Sequence, residues 1–376
     1  MSRANNKIEH LQLARELLSP PGDTLLETLD SMHMSQQELA ERMDRPTKTI
    51  NEIIKGKESI TPQTALQLER VLGVPADFWL ERERLYRLRL ARLDEEEKLL
   101  SQTSWMKKFP LSAMVKCGWL TPSGESVRDQ VEILLRYFGV ESEQAWRDIY
   151  VGGELESSFY RISLHHANNP WAVSAWLRQG EREAQKITLP QYSRQAFKAV
   201  LQAAKALSRH HPEDYRTRLQ TLCQSAGVAL VYTVCLPKAP VSGVARWINS
   251  GRNPLIQLSG RYKTNDIFWF TFFHEAAHIL LHSKKLVFIE KLDGAPIADE
   301  QEREADLFAA NWLIRPAEWR NFEDNGDFSE KTVRHFAERN AVHPATVAGR
   351  LEHHRLVGHH VFRHLKIPVD LTETGT

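Results

Sequence analysis

The sequence predicts an α+β fold that is mostly helical. An N-terminal all-α helix-turn-helix domain comes first, then a helical middle region, then a C-terminal domain that adds a small β-sheet to its helices. Three observations predict this. Apolar positions between residues 20 and 72 recur at helical spacing in four short segments broken by turn signals. After Gly227 the pattern turns to short runs of β-formers separated by Pro and Gly. Finally, Ile267 to Leu281 is an apolar run with no helix breaker that encloses His274, Glu275, Ala276, Ala277 and His278. The expected divisions are residues 1–80, a charged connecting helix at 81–98, the helical middle at 99–226, the α+β domain at 227–355 and a tail at 356–376.

The 376 residues suffice for two or three domains with real cores. Apolar and charged fractions of 42% and 26% are those of an ordinary globular protein, and a net charge of +1 gives no global field for nucleic acid, so a DNA contact has to come from a local patch. Cys117, Cys223 and Cys235 form no Cys-x-x-Cys pair, which argues against a disulfide scaffold or a thiolate zinc site and fits a reducing, cytoplasmic setting. The first seven residues lack the apolar core of a signal peptide, and no apolar run is long enough to span a membrane, so no membrane partner is expected.

Residues 20–30 enter a first helix. Ser35-Gln36-Gln37-Glu38 reads as a capping box for a second, whose apolar face is Leu39, Ala40 and Met43. After a turn at Asp44-Arg45, Pro46 suits the first turn of a third helix running Thr47 to Ile54 and closed by Gly56. Thr61-Pro62 starts a fourth helix through Leu72. The short turn places the third helix to enter a major groove. Thr47, Lys48 and Asn51 have donors and acceptors for base edges, and Gln36, Lys55 and Lys57 are placed for phosphates. The same pattern is also compatible with a small helical bundle whose polar face is only solvated.

Residues 20 to about 90 resemble the XRE/Cro-type repressor domain of HigA-family antitoxins. The resemblance rests on Ser35 to Ala40, Thr49-Ile50, Ile54-x-Gly56, Ile60-Thr61-Pro62, Ala65-x-x-Leu68 and Leu72-Gly73 followed by Phe78-Trp79-Leu80. It implies operator DNA as ligand and a homodimer. Pro46 departs from the family, which more often has Ser or Asp as the helix cap.

Glu81 to Leu90 alternates Arg, Leu and Glu, and Glu95-Glu96-Glu97 follows, the pattern of a charged connecting helix. In the middle region, Val131 to Phe138 and Phe197 to Leu207 have helical spacing, and Trp105, Trp119, Trp146, Trp171 and Trp176 are expected in a core. His165-His166 and His210-His211 are expected at the surface. Val228–Val234, Val241–Ile248 and Leu255–Leu258 read as strands, Val287–Ile289 as another strand or a loop, and Ala298–Ile314 as a helix stopped before Pro316.

On a helix, residues four apart lie one turn apart on one face, so His274 and His278 can offer two imidazoles to one ion. Two neutral imidazoles and a third protein ligand leave zinc an open position, where water ionises near pH 7. Glu275 lies beside that face and can act as general base. The alternative is a buried helix that carries two histidines by chance. His282, one turn further, reads as a supporting or satisfied polar residue. The 298–314 helix offers Glu302, Glu304 and Asp306 as third ligand; periodicity puts Glu302 nearest the buried face, but the phase is poorly fixed.

Residues 227–355 resemble the ImmA/IrrE family of zinc peptidases. The matching stretches are Arg261-Tyr262-Lys263, Phe270-Thr271 with His274-Glu275-x-x-His278, and Glu302-x-Glu304-Ala305-x-x-Phe308-Ala309-Ala310-x-x-Leu313-Ile314-x-Pro316. Ala277 stands where the family often has Gly. The resemblance implies a zincin-like fold, a gluzincin-like zinc metalloendopeptidase activity with manganese as the other usable metal, and Glu304 as third ligand with Glu302 as fallback. It also implies that residues 329–351 pack structurally against the peptidase core. His343 or Tyr262 could stabilise an oxyanion. The histidines of the tail (His353, His354, His359, His360, His364) are expected as solvated surface rather than metal ligands.

Together these readings give a cytoplasmic DNA-binding regulator joined to a zinc peptidase. In related systems such a peptidase cuts an XRE-type repressor after a stress or phage signal; here the substrate is a partner repressor or the chain itself, and residues 81–98 are the candidate cuttable link. A second reading is a non-proteolytic, antitoxin-like regulator whose zinc fold senses a ligand or holds a cognate toxin. A third makes the peptidase a toxin restrained by a partner.

Overall fold

The computed structural model describes residues 10–122, 126–152, 169–237, 239, 241–260, 264–282, 288–289 and 300–369. Tyr262 and its neighbours, His165-His166 and Ala298 lie outside them. The chain divides into two compact units, one of Met1–Ser104 and Glu125–Glu132, the other of Trp105–Gly124 and Ile133–Thr376. No helix among the described residues is long and apolar enough to cross a membrane.

The first unit carries helices α1 (Pro21–Ser31), α2 (Gln36–Arg42), α3 (Thr47–Ile54), α4 (Pro62–Leu72) and α5 (Ala76–Ser101). Their inward faces make one core, in which Leu25, Leu39, Ile50, Leu68 and Trp79 are fully enclosed. Half of the capping box forms. Ser35 Oγ accepts from Glu38 N at 3.1 Å, while the Glu38 carboxylate turns to Arg42 one turn on. Pro46 stands at the N-cap of α3, not in its first turn, with φ −62° and ψ 136°. Proline has no side-chain oxygen to cap α3, so this helix starts without a side-chain cap. Gly56 ends the segment at φ +67°, a left-handed conformation that glycine adopts freely.

The predicted connecting helix is one continuous α-helix with the segment before it. α5 runs 26 residues and is tied back to the bundle. Arg87 Nε binds Glu83 while its NH2 donates to Gly56 O at 3.1 Å; Arg82 reaches Ser19 and Thr24; Arg15 binds Asp94 and Glu97. A segment held in helix offers no extended backbone to a cleft, so 81–98 is a structural arm rather than a loose link.

Next come α6 (Thr103–Met106), α7 (Leu111–Lys116), α8 (Val127–Phe138) and α9 (Glu143–Arg147), with Thr103–Ser104 and Val127–Glu132 counted in the first unit and the rest in the second, where Trp105, Phe109, Phe138, Trp146 and Tyr150 make edge-to-face and tilted contacts. α10 (Pro170–Ala184), α11 (Arg194–His210) and α12 (Tyr215–Ser225) follow. The tryptophans pack as expected, with Trp171 only half-buried. His211 departs from the expectation: it is buried and accepts from Trp269 Nε1 at 3.0 Å.

Strands β1 (Ala229–Tyr232), β2 (Gly243–Ile248), β3 (Asn253–Leu258) and β4 (Phe288–Ile289) form a sheet in the order β1-β3-β2-β4. β1 runs parallel to β3, and β2 is antiparallel to both β3 and β4. Alternation divides β2 between the two faces. Ala245 and Trp247 join the main core, whereas Arg246 points to α10 and donates to Glu181 at 2.7 Å and to Leu177 O.

The main core face packs on α13 (Asn265–Leu281), which is apolar nearly all round and is correspondingly enclosed. Phe270 and Ile267 are half-buried and Leu281 is exposed at the end of the helix. α14 (Glu300–Leu313), α15 (Pro316–Asn325), α16 (Glu330–Arg339) and α17 (Pro344–His353) complete the unit. Val333, Phe336, Val347 and Leu351 from α16 and α17 sit in the same core as Phe272 and Phe273, which is the structural role the sequence suggested for 329–351.

Candidate metal centre and nucleic-acid interface

The i, i+4 spacing on α13 and the facing helix α14 build a candidate metal centre. His274 Nε2 and His278 Nε2 stand 3.0 Å apart. Glu302 brings its carboxylate to both, at 3.2 Å from His274 Nε2 and 3.5 Å from His278 Nε2. Ligand atoms about 2.0–2.1 Å from a tetrahedral zinc lie about 3.3 Å from one another. The two imidazole nitrogens and the Glu302 carboxylate, which turns Oε2 to His274 and Oε1 to His278, therefore lie at spacings close to those of ligands of one ion. One donor atom from each of His274, His278 and Glu302 lies within 4.8 Å of the others.

Glu304 is not brought to this pair. Its carboxylate lies 3.1 Å from His282 Nε2. The reason is helix geometry: 304 is two residues from 302, about 200° round the axis, while 302 and 306 share a face. Asp306 uses that face to reach His274 Nδ1 at 2.9 Å. A carboxylate only accepts, so His274 carries its proton on Nδ1 and leaves Nε2 free to ligate. Burial first, then the neighbouring His274 and His278's next-turn partner His282, push the His278 pKa down to about 2. It is thus a neutral imidazole at any physiological pH, the form a metal requires.

Glu275 is fully enclosed beside His274. Its carboxylate lies against β2 at Gly243, where an added Cβ would fall 2.5 Å from Oε1 and 2.9 Å from Thr271 Cγ2. Only a residue without a side chain lets the strand pass the carboxylate so closely. Sequence reasoning missed Gly243, because nothing local to it announces a partner 32 residues away. The expected outcome for Gly243→Ala is a displaced Glu275: a zinc-loaded protein with cleavage reduced at least tenfold, measured against wild type on the same peptide.

His343 is engaged elsewhere. Its Nδ1 accepts from Ala345 N at 3.1 Å as the N-cap of α17 and contacts Asn265 Nδ2 at 3.2 Å, at the far end of α13 from the histidine pair. That geometry corrects the expectation of an oxyanion role for it. The tail histidines are exposed, and His354, His359 and His364 each meet a glutamate.

In the first unit, α2 and α3 meet across the turn at Asp44-Arg45. The apolar side of α3 (Ile50, Ile53, Ile54) is buried, and Thr47, Lys48 and Asn51 are exposed on the other. Lys55 and Lys57 are exposed just beyond its C-terminus, and Gln36 is half-buried at the start of α2. Lys48 faces Glu52 at 3.8 Å, an exposed pair worth little.

Comparison with known proteins bears on both units. Residues 25–79 match the helix-turn-helix family, and residues 223–352 match the IrrE N-terminal-like domain. Over 68 residues the chain is 32% identical to an uncharacterised HTH-type transcriptional regulator, YddM, of Escherichia coli (strain K12), spanning 18% of this chain and 72% of that protein. The chain belongs to the helix-turn-helix regulator family and carries an IrrE-like metallopeptidase-family domain. The helix-turn-helix unit is also 36% identical over 77 residues to virulence-associated protein I of Dichelobacter nodosus, covering 20% of this chain and 71% of that one. A solved structure, an addiction module antidote protein of a HigA family from Coxiella burnetii, is 32% identical, covers 22% of this chain and 90% of its own, and has a TM-score of 0.20. The IrrE-like match contains both helices of the candidate metal centre, α13 and α14, and the helix-turn-helix match contains α2 and α3 entire.

Proposed function

We propose that this protein is a cytoplasmic DNA-binding regulator whose IrrE-like domain is a zinc-dependent endopeptidase. The observation that carries the reading is the convergence of His274, His278 and Glu302 at the spacing of zinc ligands, with the enclosed carboxylate of Glu275 beside them. His274, His278 and Glu302 would hold zinc, with manganese as substitute, and the ion would supply an acidified water and Lewis-acid polarisation of the scissile carbonyl. Glu275 takes the water's proton and passes it to the leaving amine. Asp306 holds His274 in its ligating tautomer, and Gly243 keeps room for the Glu275 carboxylate.

Glu302 is preferred to Glu304 as third ligand on this geometry. The substrate is a partner XRE-type repressor or this chain, cut in response to stress or phage. If the chain cuts itself, the bond lies outside the helical arm 81–98 as folded. The non-proteolytic alternative, in which the domain senses a ligand or holds a cognate toxin, lacks a use for an enclosed carboxylate next to the metal pair.

The helix-turn-helix unit binds operator DNA as a homodimer, with Thr47, Lys48 and Asn51 toward base edges and Gln36, Lys55 and Lys57 toward phosphates. The two groups predict different outcomes in the full chain. Asn51→Ala weakens operator binding by about 1–3 kcal/mol and relaxes sequence preference at one position. Lys57→Ala weakens all sequences alike and lowers the slope of log K against log salt by about one. Titration of operator and scrambled duplexes at several salt concentrations checks both. Equal, sequence-independent losses would remove Asn51 from base reading.

The proteolytic reading is tested by loading the purified protein with zinc and following its own mass and that of added peptides. Products from wild type that need zinc and vanish in Glu275→Gln support it.

A further inference from the structure

We infer that His282 and Glu304 form a positioning relay that holds His278 in its metal-binding tautomer. This rests on the reading of His274, His278 and Glu302 as the ligand set, and it assigns Glu304 a task other than ligation. Three contacts carry it. Glu304 Oε2 lies 3.1 Å from His282 Nε2, His282 Nδ1 lies 2.8 Å from His278 Nδ1, and His278 Nε2 faces His274 Nε2 at 3.0 Å.

With His282 as a neutral imidazole, hydrogen-bond accounting fixes the direction of the line. The Glu304 carboxylate has no proton to give, so His282 Nε2 is the donor. A neutral imidazole has one N–H, so His282 Nδ1 is bare and accepts. His278 Nδ1 must then carry the proton donated to it. That leaves His278 Nε2 without a proton, facing His274 Nε2 and the Glu302 carboxylate. His274 reaches the same state directly through Asp306. Each ligand histidine therefore ends on a carboxylate from α14, one by direct contact and the other through an imidazole.

The placement suits the task. Residues 274, 278 and 282 occupy successive turns of one face of α13. The His282 side chain is 3% exposed, so water does not compete for its nitrogens, whereas Glu304 is 56% exposed and keeps its charge in solvent. A hydrogen-bonded partner of a ligating histidine fixes the ring and raises its basicity, and loss of such a partner typically lowers metal affinity by about 10–100-fold.

The experiment measures zinc affinity of the full chain by competition with a chromophoric chelator, together with the visible absorption of the cobalt-loaded protein. The variants are Glu304→Ala, Glu304→Gln, His282→Phe and Glu302→Gln. The relay predicts that Glu304→Ala and His282→Phe each still bind one metal, about 10–100-fold more weakly, with the cobalt spectrum of an unchanged ligand set. Glu304→Gln, which keeps an acceptor at an exposed position and is not expected to disturb folding, recovers part of the loss. Glu302→Gln loses stoichiometric binding. Wild-type affinity in both Glu304→Ala and His282→Phe overturns the relay and leaves the ligand set standing. Loss of stoichiometric metal in Glu304→Ala with retention in Glu302→Gln makes Glu304 the ligand and overturns both.

Discussion

Replacing Glu275 by glutamine leaves one zinc per chain and lowers peptide cleavage by about 10²–10⁴-fold, the range that a positioned general base supplies. The substitution is nearly isosteric, so the close fit of the side chain against Gly243 persists, and only the capacity to take a proton is lost. Metal content by mass spectrometry and initial rates on one peptide substrate check the two halves separately. Loss of zinc along with activity would mean that Glu275 supports the site structurally. Full activity would remove it from proton transfer.

The second large effect is on stability. Arg246 is 1% exposed on β2, and its guanidinium meets Glu181 at 2.7 Å and Leu177 O. Two charges taken from water gain little net energy as a pair, but removing one strands the other in a medium that cannot solvate it. Glu181→Ala leaves Arg246 charged between the sheet and α10 with a backbone carbonyl as remaining partner. The expected loss is about 3 kcal/mol, the low end of the 3–5 kcal/mol range, because the Glu181 side chain is 21% exposed. Urea unfolding followed by tryptophan fluorescence checks it. A double replacement, Glu181→Met with Arg246→Met, recovers most of that loss. A loss below about 0.5 kcal/mol in Glu181→Ala would contradict a buried ion pair.

Much of this fold was legible because local rules and global structure agree. Ser35, Gly56 and Thr61-Pro62 mark helix ends, and the structure turns at those points. The β-rich runs after Gly227 became strands β1, β2 and β3, since short continuous runs of β-formers suit a sheet buried on both faces. The His274 and His278 pair was legible for the simplest reason: both imidazoles sit on one helix, where spacing alone sets geometry.

What was not legible depends on phase or on distance. Choosing among Glu302, Glu304 and Asp306 requires the rotation of α14 against α13, and a helix that is apolar on several sides does not announce it. Gly243 owes its role to a helix 32 residues on. Pro46 stands one residue earlier than expected, at the N-cap of α3, where its extended ψ of 136° precedes the helix. His211 looked like surface beside a second histidine, yet it accepts from the indole of Trp269 and is enclosed. His343 was drawn toward the cleft by its chemistry, while its backbone position made it a helix cap.

The central claim is that the His274, His278, Glu302 and Glu275 constellation hydrolyses peptide bonds. The most direct measurement incubates the zinc-loaded full chain with a mixed library of natural peptides and reads new termini by mass spectrometry, beside metal-free wild type and zinc-loaded Glu275→Gln. The account predicts new termini from zinc-loaded wild type, with few or none from the other two. A zinc-loaded wild type that yields no new termini, or a Glu275→Gln that yields as many, would contradict it.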